Sequence, residues 1–324
     1  MPVSQQLKFT NNESFRLFTA GVEALQAYER QAEDQTLRRA AGTLQQCVRK
    51  YPNDVLPLFY LGVVKTLQGM GELDEALALF QKVLDKGVKE LRPAAKFHLA
   101  WAHLERYRTE DFVIAERQLN EMLAENEKQT PSAEMTQLRL QAETMLAFLF
   151  VRQSLWIHRK GEKSLDSELA EAERRIAQIK TSLEKADLPE AAKADLLAEY
   201  WNVKGLVLWF RALTSPTQQI RPQLGEEAAK DFQAALQLKG NWLPAMQNLA
   251  RLYMEVQKRD DLAEQMVWKT LEIQPDSQYS YYLLGKIYET KHDRVKAIEY
   301  YQRAPDNEGA QKALARLQSE TTPS

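Results

Sequence analysis

The stretch YYLLGKIYETKHDRVKAIEYYQRA, residues 281–304, sets a glycine inside an otherwise helical pattern, an alanine twelve places further on, and aromatics between them. Tyr281, Leu284, Gly285 and Tyr288 recur at spacings of three, four and seven, which puts them on one face of a helix. After KHDR, where Asp293 is suited to cap a new helix, Val295, Ala297, Ile298, Tyr301 and Ala304 form a second such face. The pattern predicts two antiparallel helices joined by a short turn. Helices packed about 8–10 Å apart need small residues where they cross, and Gly285 and Ala297 take those places. Tyr288 and Tyr301 are expected to fill the wider gaps on either side and to face a neighbouring hairpin. One hairpin of this kind cannot bury both its faces, so it demands neighbours.

The pattern recurs upstream. Leu249, Ala250 and Tyr253 are followed by Ala263, Val267, Thr270 and a terminating Pro275, and Leu58, Leu61 and Gly62 by Ala76, Phe80 and Val83. Leu17, Gly21 and Ala24 precede Ala40, Leu44, Cys47 and Pro52; Leu99, Ala100 and His103 precede Ala115, Leu119 and Met122; Asn202, Gly205 and Leu208 precede Ala228, Phe232 and Ala235. Six units in one order resemble tetratricopeptide repeats, helical hairpins of roughly 34 residues with small residues at the crossings. The best matches are 276–305, 242–275 and 54–87. The resemblance implies an all-α fold, a right-handed superhelical solenoid of antiparallel helix pairs running through 1–324. Within it, 1–130 read as amino-terminal repeats and 188–305 as carboxy-terminal repeats, with 306–320 as a capping helix and TTPS as a frayed tail. Residues 131–187 depart from the pattern and read as two longer helices with HRKGEKS between them, and LTSPTQQIRPQLGEE, 213–227, reads as a loop too long for the family's turn.

Composition excludes several classes. Of 324 residues, 43 are Lys or Arg and 45 Asp or Glu, so nothing electrostatic argues for nucleic acid. The single Cys47 lies in an apolar-periodic segment, which suggests a reducing compartment and a small core residue. MPVSQQLKFT lacks the features of a signal peptide, and the longest strongly apolar run, MLAFLF at 145–150, falls far short of the roughly 20 residues that span a bilayer. The expectation is a cytoplasmic protein without membrane insertion. No Walker-type loop, dinucleotide fingerprint, His-Glu-x-x-His or Cys-x-x-Cys spacing occurs, so neither cofactor nor metal is expected, and no enzyme. His98 and His103, five apart, point to different faces of one helix; His103 reads as core and His98 as surface. His158 and His292 read as exposed residues in turns, and HRK, 158–160, as a cationic helix end.

What remains is the inner surface that similar arrays line with their first helices. Transferred position by position, the pattern selects Phe18, Phe59, Phe97 and Trp101 towards the amino terminus, an aromatic strip that fits groove and core alike. Towards the carboxy terminus it selects Asn202 and Trp209, then Gln247, Asn248 and Arg251, then Tyr279, Tyr282 and Lys286, a strip that turns amphipathic and positive. Such a groove suits a peptide or helix of a partner protein with apolar anchors and an acidic or carboxylate end. Similar proteins that grip acidic chaperone termini use lysine, asparagine and arginine positions of which only Asn248 has a counterpart here; the others fall on Asn202, Leu206, Tyr279 and Leu283, which argues against a chaperone tail. The expected function is a protein-interaction adaptor or scaffold. The alternative is a peptide-sensing regulator of the bacterial repeat type, and self-pairing into a homo-oligomer is compatible with either.

Overall fold

A computed structural model of the chain describes residues 8–31, 34–126, 132–159, 166–215, 217 and 219–319. TTPS, and residues 160–164 of HRKGEKS, lie outside them. The described residues are helices and connections with no strand. The chain divides into two units, Met1–Gln153 with Ala186–Leu188, and Ser154–Lys185 with Pro189–Ser324.

In the first unit, α1 (Asn12–Gln31) pairs with α2 (Asp34–Lys50), α3 (Val55–Gln68) with α4 (Leu73–Asp85), and α5 (Arg92–Arg106) with α6 (Thr109–Asn126). Each second helix also packs on the first helix of the next pair, so the apolar face that one hairpin leaves open is covered by its neighbour. The long helix α7 (Ala133–Arg159) begins here and ends in the second unit. The entry to α1 is tied down by Asp54, whose carboxylate accepts from the Thr10 hydroxyl at 2.6 Å and from the Ser14 hydroxyl. Cys47 lies against Ser14, 3.6 Å from its hydroxyl, and is fully buried, as its place in the pattern predicts.

The second unit holds α8 (Asp166–Lys185) and then the pairs α9 (Glu190–Thr214) with α10 (Arg221–Leu238), α11 (Leu243–Leu252) with α12 (Asp260–Ile273), and α13 (Gln278–Thr290) with α14 (Arg294–Gln302), closed by α15 (Glu308–Ser319). Asp293 caps α14 as expected, accepting from the Lys296 amide at 3.1 Å. Gly285 faces Tyr301 so closely that an added Cβ would overlap the phenol ring, and at Gly205 a Cβ would stand 2.8 Å from Phe232. The glycine is therefore the socket for a large ring of the second helix. This corrects the expected place of Tyr301: it is fully buried on Gly285 within its own hairpin, while Tyr288 does reach the neighbouring hairpin, donating to Glu264 of α12 at 2.6 Å. Val295, expected on the apolar face, is 78% exposed because it falls in the first turn of α14, ahead of the crossing.

The long 213–227 loop is also corrected. α9 runs to Thr214 and α10 starts at Arg221, so the connection shrinks to 215–220. Pro222 sits in the first turn of α10, where its missing N–H has no helical acceptor to lose.

Candidate partner-binding site

Of the eight residues selected towards the carboxy terminus, four, Arg251, Tyr279, Tyr282 and Lys286, wall one cavity of about 470 Å³ inside the second unit. Leu155, Leu213 and Leu283 supply apolar wall, while exposed His158, in the last turn of α7 rather than in a turn between helices, and Asn307 stand at its polar side. α11 brings Arg251 and α13 brings the two tyrosines and Lys286, so the cavity gathers side chains from successive repeats.

Arg251 lies with its guanidinium 4.5 Å from the centre of the Trp209 ring. Trp209 is 1% exposed, so it serves as the floor under the arginine and not as a contact surface. Burial opposes the charge of Arg251, but the Tyr279 hydroxyl and the Glu255 carboxylate outweigh it and hold the group above the ordinary arginine value. Glu255 is shared: its Oε1 lies 3.4 Å from Arg251 Nε and 3.5 Å from Lys286 Nζ. Arg251 Nη2 also reaches both carboxylate oxygens, at 3.4 and 3.5 Å; all these distances are at the long limit of a hydrogen bond, so two cations share one loosely seated carboxylate, with Nη1 of Arg251 left over. The positive end of the strip is thus partly neutralised from within.

Glu255 was not among the residues singled out from the sequence. Its four-residue spacing from Arg251 was the available signal, but its position comes from a π-helical turn, Tyr253–Gln257, that continues α11 and ends on Lys258 with φ 55°. Such widened turns commonly occur at functional sites. Gln247 and Asn248 lie on the same helix outside the cavity, and Asn248 Nδ2 donates to Asn202 Oδ1 at 3.0 Å. Asn202 is 6% exposed, so this amide pair joins α9 to α11 instead of facing a partner.

The amino-terminal strip divides. Phe18 and Phe59 are core residues at 5% and 7% exposure: Phe18 packs on Phe9 and Tyr60, and Phe59 on Phe80. Phe97 and Trp101 are half-buried on α5, and Trp101 Nε1 donates to Glu105 at 3.3 Å. His98, expected at the surface, instead lies with its ring centre 5.1–5.7 Å from those of Phe59, Phe80, Phe97 and Trp101. Five residues on from His98, His103 does lie in the core, where its Nδ1 meets Asp111 at 2.6 Å. The reason His98 is half-buried among these rings is the close approach of α3 and α4 to α5, which a single helix's periodicity does not encode. Its Nδ1 is buried with no hydrogen-bond partner, and burial alone pushes the imidazole down to about 4. Among the described residues no group of His, Cys, Asp and Glu is placed to hold a metal ion, and no helix is long and apolar enough to cross a membrane.

No family model matches the chain, and no curated protein matches it. Solved structures do. A tetratricopeptide repeat protein from Parabacteroides merdae aligns over 92% of this chain and 98% of its own with TM-score 0.52 and 17% identity. The human IFIT1 dimer with m7Gppp-AAAA aligns over 88% of this chain at TM-score 0.60 and 15% identity, and yeast Tom70 over 97% at 0.50 and 14%. The chain spans 58% of that IFIT1 chain and 66% of that Tom70 chain. Helical hairpins stacked in sequence order, four of them closed on a glycine, and similar to these structures over most of this chain, make this an all-α protein of the tetratricopeptide-repeat fold.

Proposed function

We propose that this chain is a non-enzymatic interaction scaffold that holds a peptide segment or helix of a partner protein, taking an acidic side chain or terminal carboxylate in the cavity of the second unit. The observation that carries this reading is the pairing of Arg251 and Lys286 on one loosely held carboxylate beside Tyr279 and Tyr282. Two cations with spare donors suit an incoming carboxylate, and the tyrosine and leucine walls suit an apolar side chain next to it. The half-buried Phe97 and Trp101 offer the first unit's own apolar contact.

A solved IFIT1 structure of this fold holds a capped oligonucleotide, m7Gppp-AAAA. For this chain the near balance of 43 basic and 45 acidic residues favours a protein partner. The test is a library of pentapeptides with free carboxyl termini, screened beside the same library amidated, against wild type and Arg251→Gln. Enrichment that needs the free carboxylate or an acidic side chain and disappears in the variant supports the reading. Enrichment indifferent to Arg251, or none at all, refutes it.

A further inference from the structure

The second unit carries another recess, of about 630 Å³, on α10 and the π-helical turn. Along α10, Pro222, Glu226, Ala229 and Gln233 follow at spacings of four, three and four, one stripe of the helix, with Arg221 and Lys230 flanking it. Opposite stand Tyr253 and Val256 of the π-helical turn and Arg259 just after it. The recess is held open by two contacts. Gln257 Nε2 donates to the Gly225 carbonyl at 3.0 Å, and Gln233 Nε2 donates to the Tyr253 hydroxyl at 3.2 Å, so both amides are already engaged in structure. Gly225 lets the turn approach: a Cβ there would stand 3.0 Å from Val256 Cγ1.

The charge around this recess is unbalanced. Lys204, Lys239, Lys286 and Lys291 of the same unit are all paired with carboxylates. Among the described residues, Lys230 and Arg259 are exposed with no carboxylate within ion-pair distance, as are Lys258 and Lys269 outside the recess. Arg221 spends Nε and Nη2 on the Ser215 carbonyl, at 2.9 and 2.7 Å, a neutral acceptor that leaves its charge uncompensated. Three cations therefore face one carboxylate, Glu226, across a floor of Ala229, Tyr253 and Val256.

We infer that this recess is a second docking surface, for an acidic segment of a partner protein whose carboxylates bracket an apolar side chain. Charge complementarity selects the acidic flanks, and the short apolar floor selects the side chain between them. Three cations around one short recess are too few and too local to track a nucleic-acid backbone. The surface is separate in composition from the Arg251 cavity, sharing with it only the π-helical turn, and stands independently of the function proposed above.

The probe is fluorescein-labelled Glu-Asp-Leu-Asp-Glu, amidated so that it carries no terminal carboxylate, followed by anisotropy against the full chain. Measured in the Arg251→Gln background, which disables the other site for acidic side chains, the chain is expected to bind it, to lose affinity at least tenfold when Lys230→Glu and Arg259→Glu are added, and to weaken steeply from 0.05 to 0.5 M salt. Both reversed residues are exposed, and the single variants Lys230→Ala and Arg259→Ala, each expected to lose about threefold or more, serve if the double variant unfolds. No binding in the Arg251→Gln background, binding there equal to that of a Lys-rich control or indifferent to Lys230 and Arg259, or preference for an RNA oligonucleotide of equal charge overturns the inference.

Discussion

His98 offers a quantitative handle on the first unit. Its half-buried ring packs among Phe59, Phe80, Phe97 and Trp101, and its buried Nδ1 has no partner to share a proton with. Burial lowers its pKa from the usual 6.5 to about 4, so the folded protein holds the imidazole neutral where the unfolded chain binds a proton. The sign follows: above pH 6.5 neither state is protonated and His98 costs nothing through titration. Between pH 6.5 and 4 the unfolded state takes up a proton that the folded state refuses, and stability falls by up to about 1.4 kcal/mol per pH unit. Below about pH 4 the folded state protonates too and the loss levels off near 3 kcal/mol in total. Urea unfolding of wild type and His98→Leu at steps from pH 7.5 to 4 measures this. The stability difference is expected to be flat above pH 6.5 and to move by about 3 kcal/mol in favour of the variant on the way to pH 4. His103 is also depressed, by burial and against the pull of Asp111, but it is present in both proteins and cancels. Parallel pH profiles for the two proteins, or an imidazole resonance of His98 that titrates near 6.5, would refute the reasoning.

Replacing Gly285 with leucine drives a side chain into buried Tyr301 and is expected to cost about 2–3 kcal/mol, read as a lowered melting temperature and faster amide exchange in α13 and α14; an unchanged melt removes the socket argument. Asp111 accepts from Arg106 Nη2 at 2.6 Å as well as meeting His103, and is 1% exposed at its side chain, so Asp111→Ala is expected to lose about 3 kcal/mol in thermal or urea unfolding. Glu255→Gln removes the internal competitor for Arg251 and Lys286, so any peptide carboxylate held there is expected to bind several-fold more tightly by calorimetry; weaker binding shows that Glu255 is itself a ligand contact.

How far the chain can be read depends on how local each feature is. Residues 281–304 carry enough spacing to name both helices, the Asp293 cap and the small residues at the crossing, because each depends on neighbours within about two turns. Pro222 misled in the other direction: read as loop composition, it is a helix start, since proline fits a first turn as well as it fits a loop. For the candidate site, the spacing placed Arg251, Tyr282 and Lys286 on successive first helices, where they share a cavity. It also selected Phe18, Phe59 and Trp209, which are core, because an aromatic at helical spacing looks the same whether the next hairpin covers it or not.

Helical class, hairpin repetition and the crossing residues were set by periodicity in the chain itself. Which ring fills each glycine socket, that His98 packs among aromatics from two hairpins, and that Glu255 lies between Arg251 and Lys286 on a widened turn were decided only when separate helices packed together. The physical reason is range: a helix face follows from residues three and four apart, whereas enclosure and charge pairing depend on groups brought together from distant parts of the chain.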